Sequence, residues 1–301
     1  MAAFLNRFCC SNFRVLLAST PGRVSAYQRT FCSSQNGGRA TYEKTVVTEK
    51  RGNVFLIGLN RPEVRNSVNI ATGVQLLEAF QEFENDAESL VAVFHGKGKS
   101  FCAGWDLKEV SEYPPDFQIK YSQMGPGKLH FSKPIIGAIQ GYAVAGGMEM
   151  ALLCDMRVVE ESAIMGIFCR RFGVPLVDGG TVRLPALIGL ARALDLILTG
   201  RPVTAREALN IGLANRVVPD GTALQEAVRL AEQLTRFPQK CMLADRKSAY
   251  NAVFDSKSFE DAMNFEHENG KVVIAEESVT GAGRFVSGVG KSGSFKDFGE
   301  K

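Results

Sequence analysis

No two cysteines in this chain are spaced C-x-x-C. Cys9 and Cys10 are adjacent, Cys32 follows, and Cys102, Cys154, Cys169 and Cys241 stand far apart. That argues against a zinc knuckle or a dithiol redox motif, and it suits a reducing compartment. Histidine is as sparse. His95, His130 and His267 are the whole set, none at metal-ligand spacing, so no metal site is expected. Long apolar runs are missing too. The most apolar stretch, 134–154, is broken by Gln140, Glu149 and glycines, so no membrane span is expected. Phosphate loops fail on inspection. Gly98-Lys99-Ser100 ends like a P-loop, but Val93 stands where the first glycine belongs, and Phe285 does the same before Gly290-Lys291-Ser292. No G-x-G-x-x-G follows a strand, and no G-x-S-x-G elbow exists.

Acid is also absent, and locally so: the first acidic residue is Glu43. Residues 1–31 hold Arg7, Arg14, Arg23 and Arg29, with Phe4, Leu5, Phe8, Val15 and Leu16 set for one face of a basic amphipathic helix. An Arg-rich, Ser-rich, acid-free start is the pattern of a mitochondrial transit peptide. The apolar run 15–18 is too short for a secretory signal. Cleavage is expected near Phe31, a linker over 32–44, and a matrix location. Across all 301 residues, 35 Lys and Arg face 32 Asp and Glu. Without the four leader arginines the balance is 31 to 32, so the body lacks the basic footprint of a nucleic-acid binder.

What remains is an ordinary globular composition, 45% hydrophobic and 22% charged. Apolar runs at 54–59, 91–95, 134–139 and 156–159 predict strands. The spacing of Val74, Leu77, Phe80 and Phe83 predicts an amphipathic helix over 69–83. Helices are also predicted over 146–153, 186–199, 205–211, 222–237 and 239–270, with Gly200 and Gly212 as stops. The glycine-rich tail from 281 to 293 reads as loop. Alternation before residue 215 and helices afterwards predict an α/β core, taken as 45–220, and a helical C-terminal region over 221–301.

Two small-residue turns carry the chemistry. The first is Gly141 to Asp155, where a strand enters Ala145-Gly146-Gly147 and a helix leaves it. Free N–H groups at a helix start attract negative charge, and Gly146 lets an oxygen approach closely. Glu149 falls in the first turn among apolar neighbours. Burial favours its neutral form and the helix start its charged form, which poises it to exchange protons. The same residues also suit plain packing. The second turn, Ser100 to Glu109, again joins a strand to a helix, and an ordinary connection would look similar. Together, Ala103 and Gly146 could aim two N–H groups at one oxygen, an oxyanion hole.

These turns belong to an ordered set. It runs through Asn60-Arg61-Pro62, Asn66-Ser67, Ser100 to Leu107, Lys133-Pro134-Ile135, Gly141 to Asp155, Gly179-Gly180-Thr181, Arg183-Leu184, Leu198 to Arg201, Ala208, Gly212-Leu213-Ala214 and Val217-Val218-Pro219. In order and spacing over roughly residues 45–240 it resembles the enoyl-CoA hydratase/isomerase family, the crotonase superfamily. The resemblance implies a spiral of ββα units, a helical trimerisation region giving a homotrimer or dimer of trimers, and an acyl-CoA thioester substrate. No cofactor is implied beyond the coenzyme A of that substrate. Carried over by position, the Ala103 and Gly146 N–H groups hold the thioester oxygen, and Ala103, Gly104, Trp105 and Asp106 lie along the CoA. Arg65 either reaches a CoA phosphate or is a surface arginine.

One position departs from the family. Where a second glutamate is usual, this chain has Cys169, and a thiol near pKa 8.5 activates water poorly at neutral pH. Asp178 either supplies another carboxylate or is simply a turn aspartate before Gly179. The resemblance implies acid/base catalysis by Glu149, with Asp178 as second catalytic candidate. Hydration and double-bond isomerisation of an enoyl-CoA both fit, and so do decarboxylation and a non-catalytic acyl-CoA-binding role.

Overall fold

The computed structural model describes residues 44–114 and 124–290. The expected leader and all but the last residue of the linker lie outside these, as does the tail beyond residue 290.

The chain opens with strand β1 (Val46–Arg51), antiparallel to β2 (Val54–Leu59). Helix α1 (Ile70–Asn85) and strand β3 (Val91–Gly96) follow, then the short helix α2 (Leu107–Val110). Next come β4 (Ile135–Ile139), β5 (Tyr142–Val144), α3 (Gly146–Leu153), β6 (Met156–Glu160) and β7 (Ile164–Gly166). Helices α4 (Gly180–Ile188) and α5 (Leu190–Thr199) lead to β8 (Val203–Thr204), α6 (Ala205–Asn210) and β9 (Arg216–Val218). Helices α7 (Ala223–Leu234), α8 (Gln239–Phe254), α9 (Phe259–Val273) and α10 (Val279–Val286) complete the order.

Two sheets result. The larger runs β1-β2-β3-β4-β6-β9, parallel from β2 onward, and the smaller runs β5-β7-β8. The chain leaves the large sheet for the small one and returns through a helix: β4, β5, α3, then β6, β7 and the next helices. Single bridges extend the small sheet, Cys102 to Ala143 and Val68 to Trp105. A buried row, Cys102, Ala143, Met165 and Val203, therefore crosses successive turns of the expected spiral. Strands β2 and β3 are buried throughout, the continuous apolar run of a parallel strand covered on both faces. Alternate residues serve different cores. Phe55, Ile57 and Phe94 meet α1, while Val54, Leu56 and Val93 meet the alanine-rich face of α7. Strand β1 sits at the sheet edge and spends its charges, Glu49, Lys50 and Arg51, on solvent.

The structure amends several boundaries. The buried stripe of α1 is Leu76, Ala79, Phe80 and Phe83, with Val74 and Leu77 only half-buried. The expected helix 186–199 is two helices, broken at Gly189 with φ 82°, and the first begins at Gly180. The expected helix 239–270 breaks before Ser258, whose side chain caps α9. The segment read as a glycine-rich loop is helical through Gly281 and Gly283.

Candidate active site

Helix α3 sets the site. Its first residue, Gly146, follows Ala145, which holds φ 54° and ψ −127°, a conformation costly for a residue with a side chain. The Ala145 N–H is tied to the Gly166 carbonyl at 2.9 Å. This sharp turn ends β5 and points the first amides of α3 away from the sheet. The Gly146 N–H has no acceptor within its own helix, and none elsewhere among the described residues.

The second turn is pinned on both sides. The Ala103 N–H donates to the Arg65 carbonyl at 3.0 Å, Val68 N–H to the Gly104 carbonyl, and Asp106 N–H to the Val68 carbonyl. This corrects the expected role of Ala103, whose donor is already committed. The Trp105 N–H donates to no acceptor among the described residues. It lies one residue beyond Gly104, whose φ is +92° and whose missing Cβ would stand 2.8 Å from the Gly146 nitrogen. The turns meet there, and the amides of Trp105 and Gly146 are both uncommitted among the described residues. Asp106 is also committed. Its carboxylate pairs with Arg61 at 3.0 Å and accepts from the Lys108 N–H, so it braces the turn.

Glu149 projects from the first turn of α3 and is 2% exposed. Its Oε1 accepts the N–H groups of Asp178 at 3.0 Å and Gly180 at 2.8 Å. Gly180 opens α4, so one helix carries the carboxyl and the start of another receives it. A Cβ on Gly180 would come within 3.0 Å of that oxygen. Burial is the largest influence and pushes the Glu149 carboxyl up to about 7. The Asp178 carboxylate adds to the rise, while the two peptide N–H groups and Arg183 oppose it.

Asp178 is fully buried, and its Oδ2 accepts the Trp105 indole N–H at 3.3 Å. Its carbonyl accepts from Arg183, which also reaches the Gly127 carbonyl. Cys169 lies buried in the 3-10 turn Phe168–Phe172. Burial, and after it the Glu149 carboxylate, push its thiol up. Glu149, Asp178 and Cys169 are thus gathered from three separate segments. Arg65 is exposed, in the left-handed region with φ 53°, and its guanidinium lies 5.8 Å from the Tyr142 ring centre. A cavity of about 750 Å³ lies elsewhere, at the ends of β3, β4 and β6, lined by His95, Lys97, Lys99 and Glu160. Among the described residues no cluster of His, Cys, Asp or Glu could hold a metal ion, and no helix is long and apolar enough to cross a membrane.

Alternating sheets with two unspent amides beside a buried carboxyl pair define the crotonase class of α/β enzymes. The chain belongs to the enoyl-CoA hydratase/isomerase family, whose model it matches over residues 49–288. It is similar to enoyl-CoA hydratase EchA19 of Mycobacterium tuberculosis, 36% identical over 196 residues, 63% of this chain and 74% of that one. It is 33% identical to a probable mitochondrial enoyl-CoA hydratase of Dictyostelium discoideum over 246 residues, covering 79% and 87%. The crystal structure of enoyl-CoA hydratase EchA1 from Mycobacterium marinum matches at TM-score 0.75 and 31% identity, over 81% of this chain and 96% of that one. The protein is an acyl-CoA enzyme of the hydratase/isomerase type, as its sequence motifs imply.

Proposed function

We propose that the enzyme hydrates a 2-enoyl-CoA, with Glu149 and Asp178 as its two catalytic carboxyls. The supporting observation is that Asp178 joins the two parts of the site: its N–H donates to Glu149 Oε1, and its Oδ2 accepts the indole N–H of Trp105, beside Gly104 where the turn meets Gly146. The Trp105 and Gly146 amides receive the thioester oxygen and stabilise the charge that develops on it. Their donation drains electrons from the double bond, so C3 becomes open to attack. Asp178 takes one proton from water as the water oxygen bonds to C3. Glu149, with both protonation states populated near neutral pH, delivers a proton to C2. The product is a 3-hydroxyacyl-CoA, and a second proton transfer through solvent resets the pair. Coenzyme A is part of the substrate, and no other cofactor takes part.

Cys169 favours a second reading, double-bond isomerisation. With no glutamate at its position, Glu149 alone would move one proton from carbon to carbon. Loss of enoyl-thioester absorbance separates the two. Glu149→Gln and Asp178→Asn should each slow hydration by about 10²–10⁴-fold while acyl-CoA affinity is kept. Full hydration by Asp178→Asn would show that Asp178 is not the second carboxyl, and turnover of a 3-enoyl-CoA by a wild type that does not hydrate would favour isomerisation at Glu149. The acid-free, arginine-bearing leader supports a mitochondrial matrix location, and the exposed apolar helices support assembly into a trimer or a dimer of trimers.

A further inference from the structure

Trp105 is the sole tryptophan of the chain, and it touches both halves of the site. Its backbone cannot shift freely. The Gly104 carbonyl and Asp106 N–H on either side are bonded to Val68, and the Asp106 carboxylate is paired with Arg61. Asp178 is fixed in the same way from the other side, its N–H on Glu149 and its carbonyl on Arg183. With both main chains held, the two residues meet side chain to side chain. The indole N–H reaches Oδ2 at 3.3 Å.

We propose that Trp105 is a positioning residue, whose indole N–H orients the Asp178 carboxylate as a base while its peptide N–H serves the thioester oxygen. The inference rests on Asp178 being a catalytic carboxylate. An indole N–H donates and never accepts, and it carries no charge of its own. It therefore favours the ionised carboxylate without competing for the proton. The groups facing Asp178 are Glu149 from α3, Arg183 from α4, and Cys169 from its turn near Glu149, with the Asp106–Arg61 pair beside Trp105. Glu149 and Arg183 lie close to Asp178, and the indole adds a directed contact to its Oδ2. Because both amide and indole belong to one residue, thioester and base are set at a fixed separation.

Trp105→Phe keeps an aromatic ring and the peptide N–H and removes the indole donor with the smaller ring that carries it. A lost hydrogen bond to a charged group predicts a fall in hydration kcat of about 10- to 100-fold. The acid limb of the kcat/KM profile should move up by about one pH unit, with affinity for a saturated acyl-CoA unchanged. An unmoved acid limb in a folded Trp105→Phe, with Asp178→Asn inactive, overturns the role of Trp105 alone. Wild-type hydration by Asp178→Asn overturns the reading of Asp178 on which it rests. If Trp105→Phe does not fold, the wild-type tryptophan reports instead. Its emission at neutral pH should differ between wild type and Asp178→Asn, and identical spectra would overturn the contact.

Discussion

Glu149 shows how a single residue trades stability for chemistry. Its carboxyl has an ordinary value of 4.5 and is raised to about 7 in the fold, chiefly by burial. Between those values the unfolded chain gives up the proton first, so folding stability falls as pH rises from about 4.5 to 7 and stays lower above. A glutamine there keeps the oxygen that accepts from Asp178 and Gly180 but has no proton to lose. Glu149→Gln should therefore gain on wild type with rising pH, by up to about 3 kcal/mol at pH 8 against pH 5. Urea unfolding at both pH values measures it, and an equal difference at both would mean the carboxyl is not held in a buried setting. Ala145 carries a related cost. A residue with positive φ stands where the chain turns to launch the Gly146 amide, and the strain sits next to the atom it positions.

At the scale of the element, the C-terminal helix α8 is tied to the core through one carboxylate. Asp155 follows α3 and accepts from Arg246 and Tyr250 of α8, both at 2.9 Å, while its other oxygen accepts the Ile135 N–H of β4. Arg246 also lies over the Tyr250 ring and donates to the Phe131 carbonyl. Burial is the main reason the Tyr250 phenol is pushed up to about 12. Asp155→Ala strips two donors and a strand amide of their acceptor at once. It should destabilise the protein by about 3–5 kcal/mol, the usual cost of leaving a mostly buried charge unpaired. Hydrogen exchange should show α8 opening before the sheets. Exchange in α8 that matches wild type would show that other contacts hold it. Arg157 does a quieter version of this work. It is buried, without a carboxylate partner among the described residues, and bonds the Ala151, Cys154 and Leu213 carbonyls, closing the C-terminal end of α3.

For the molecule as a whole, the described surface is apolar where the C-terminal helices and α5 face outward. Leu190, Leu194 and Leu198 lie one turn apart on α5, beside the buried Ala193 and Ile197, and Leu198 is 65% exposed. An apolar stripe wider than the core covers calls for a partner. Phe259, 82% exposed, and Val279 and Val286 extend the same character into α9 and α10. Light scattering at micromolar concentration should give a closed homo-oligomer, a trimer or twice that. Leu198→Glu should shift it toward smaller species. A wild-type monomer would mean these faces are covered by something other than a second copy.

The sequence by itself determined the strands that are apolar throughout and the turns that carry glycine. Strand 54–59 and helix 146–153 match residue for residue, because burial on both faces and a small-residue helix start leave marks in composition. It also determined the family, through motifs whose order and spacing survive without any contact being known. Glu149 stood out as a lone acid in an apolar helix, but those residues suit plain packing as well, and its expected role came from the resemblance. What only the tertiary structure decided is which atoms are already spent. Ala103 and Trp105 look alike as amide donors along the chain. Only the folded loop shows the first given to Arg65 and the second left over. Asp178 reads equally as a turn residue or a catalytic one along the chain, and only the fold brings it beside Glu149 and under the Trp105 indole. Hydrogen bonds between segments this far apart in sequence depend on backbone direction at both ends. That direction is fixed by the packing of the two sheets and α4, and no local pattern of residues encodes it.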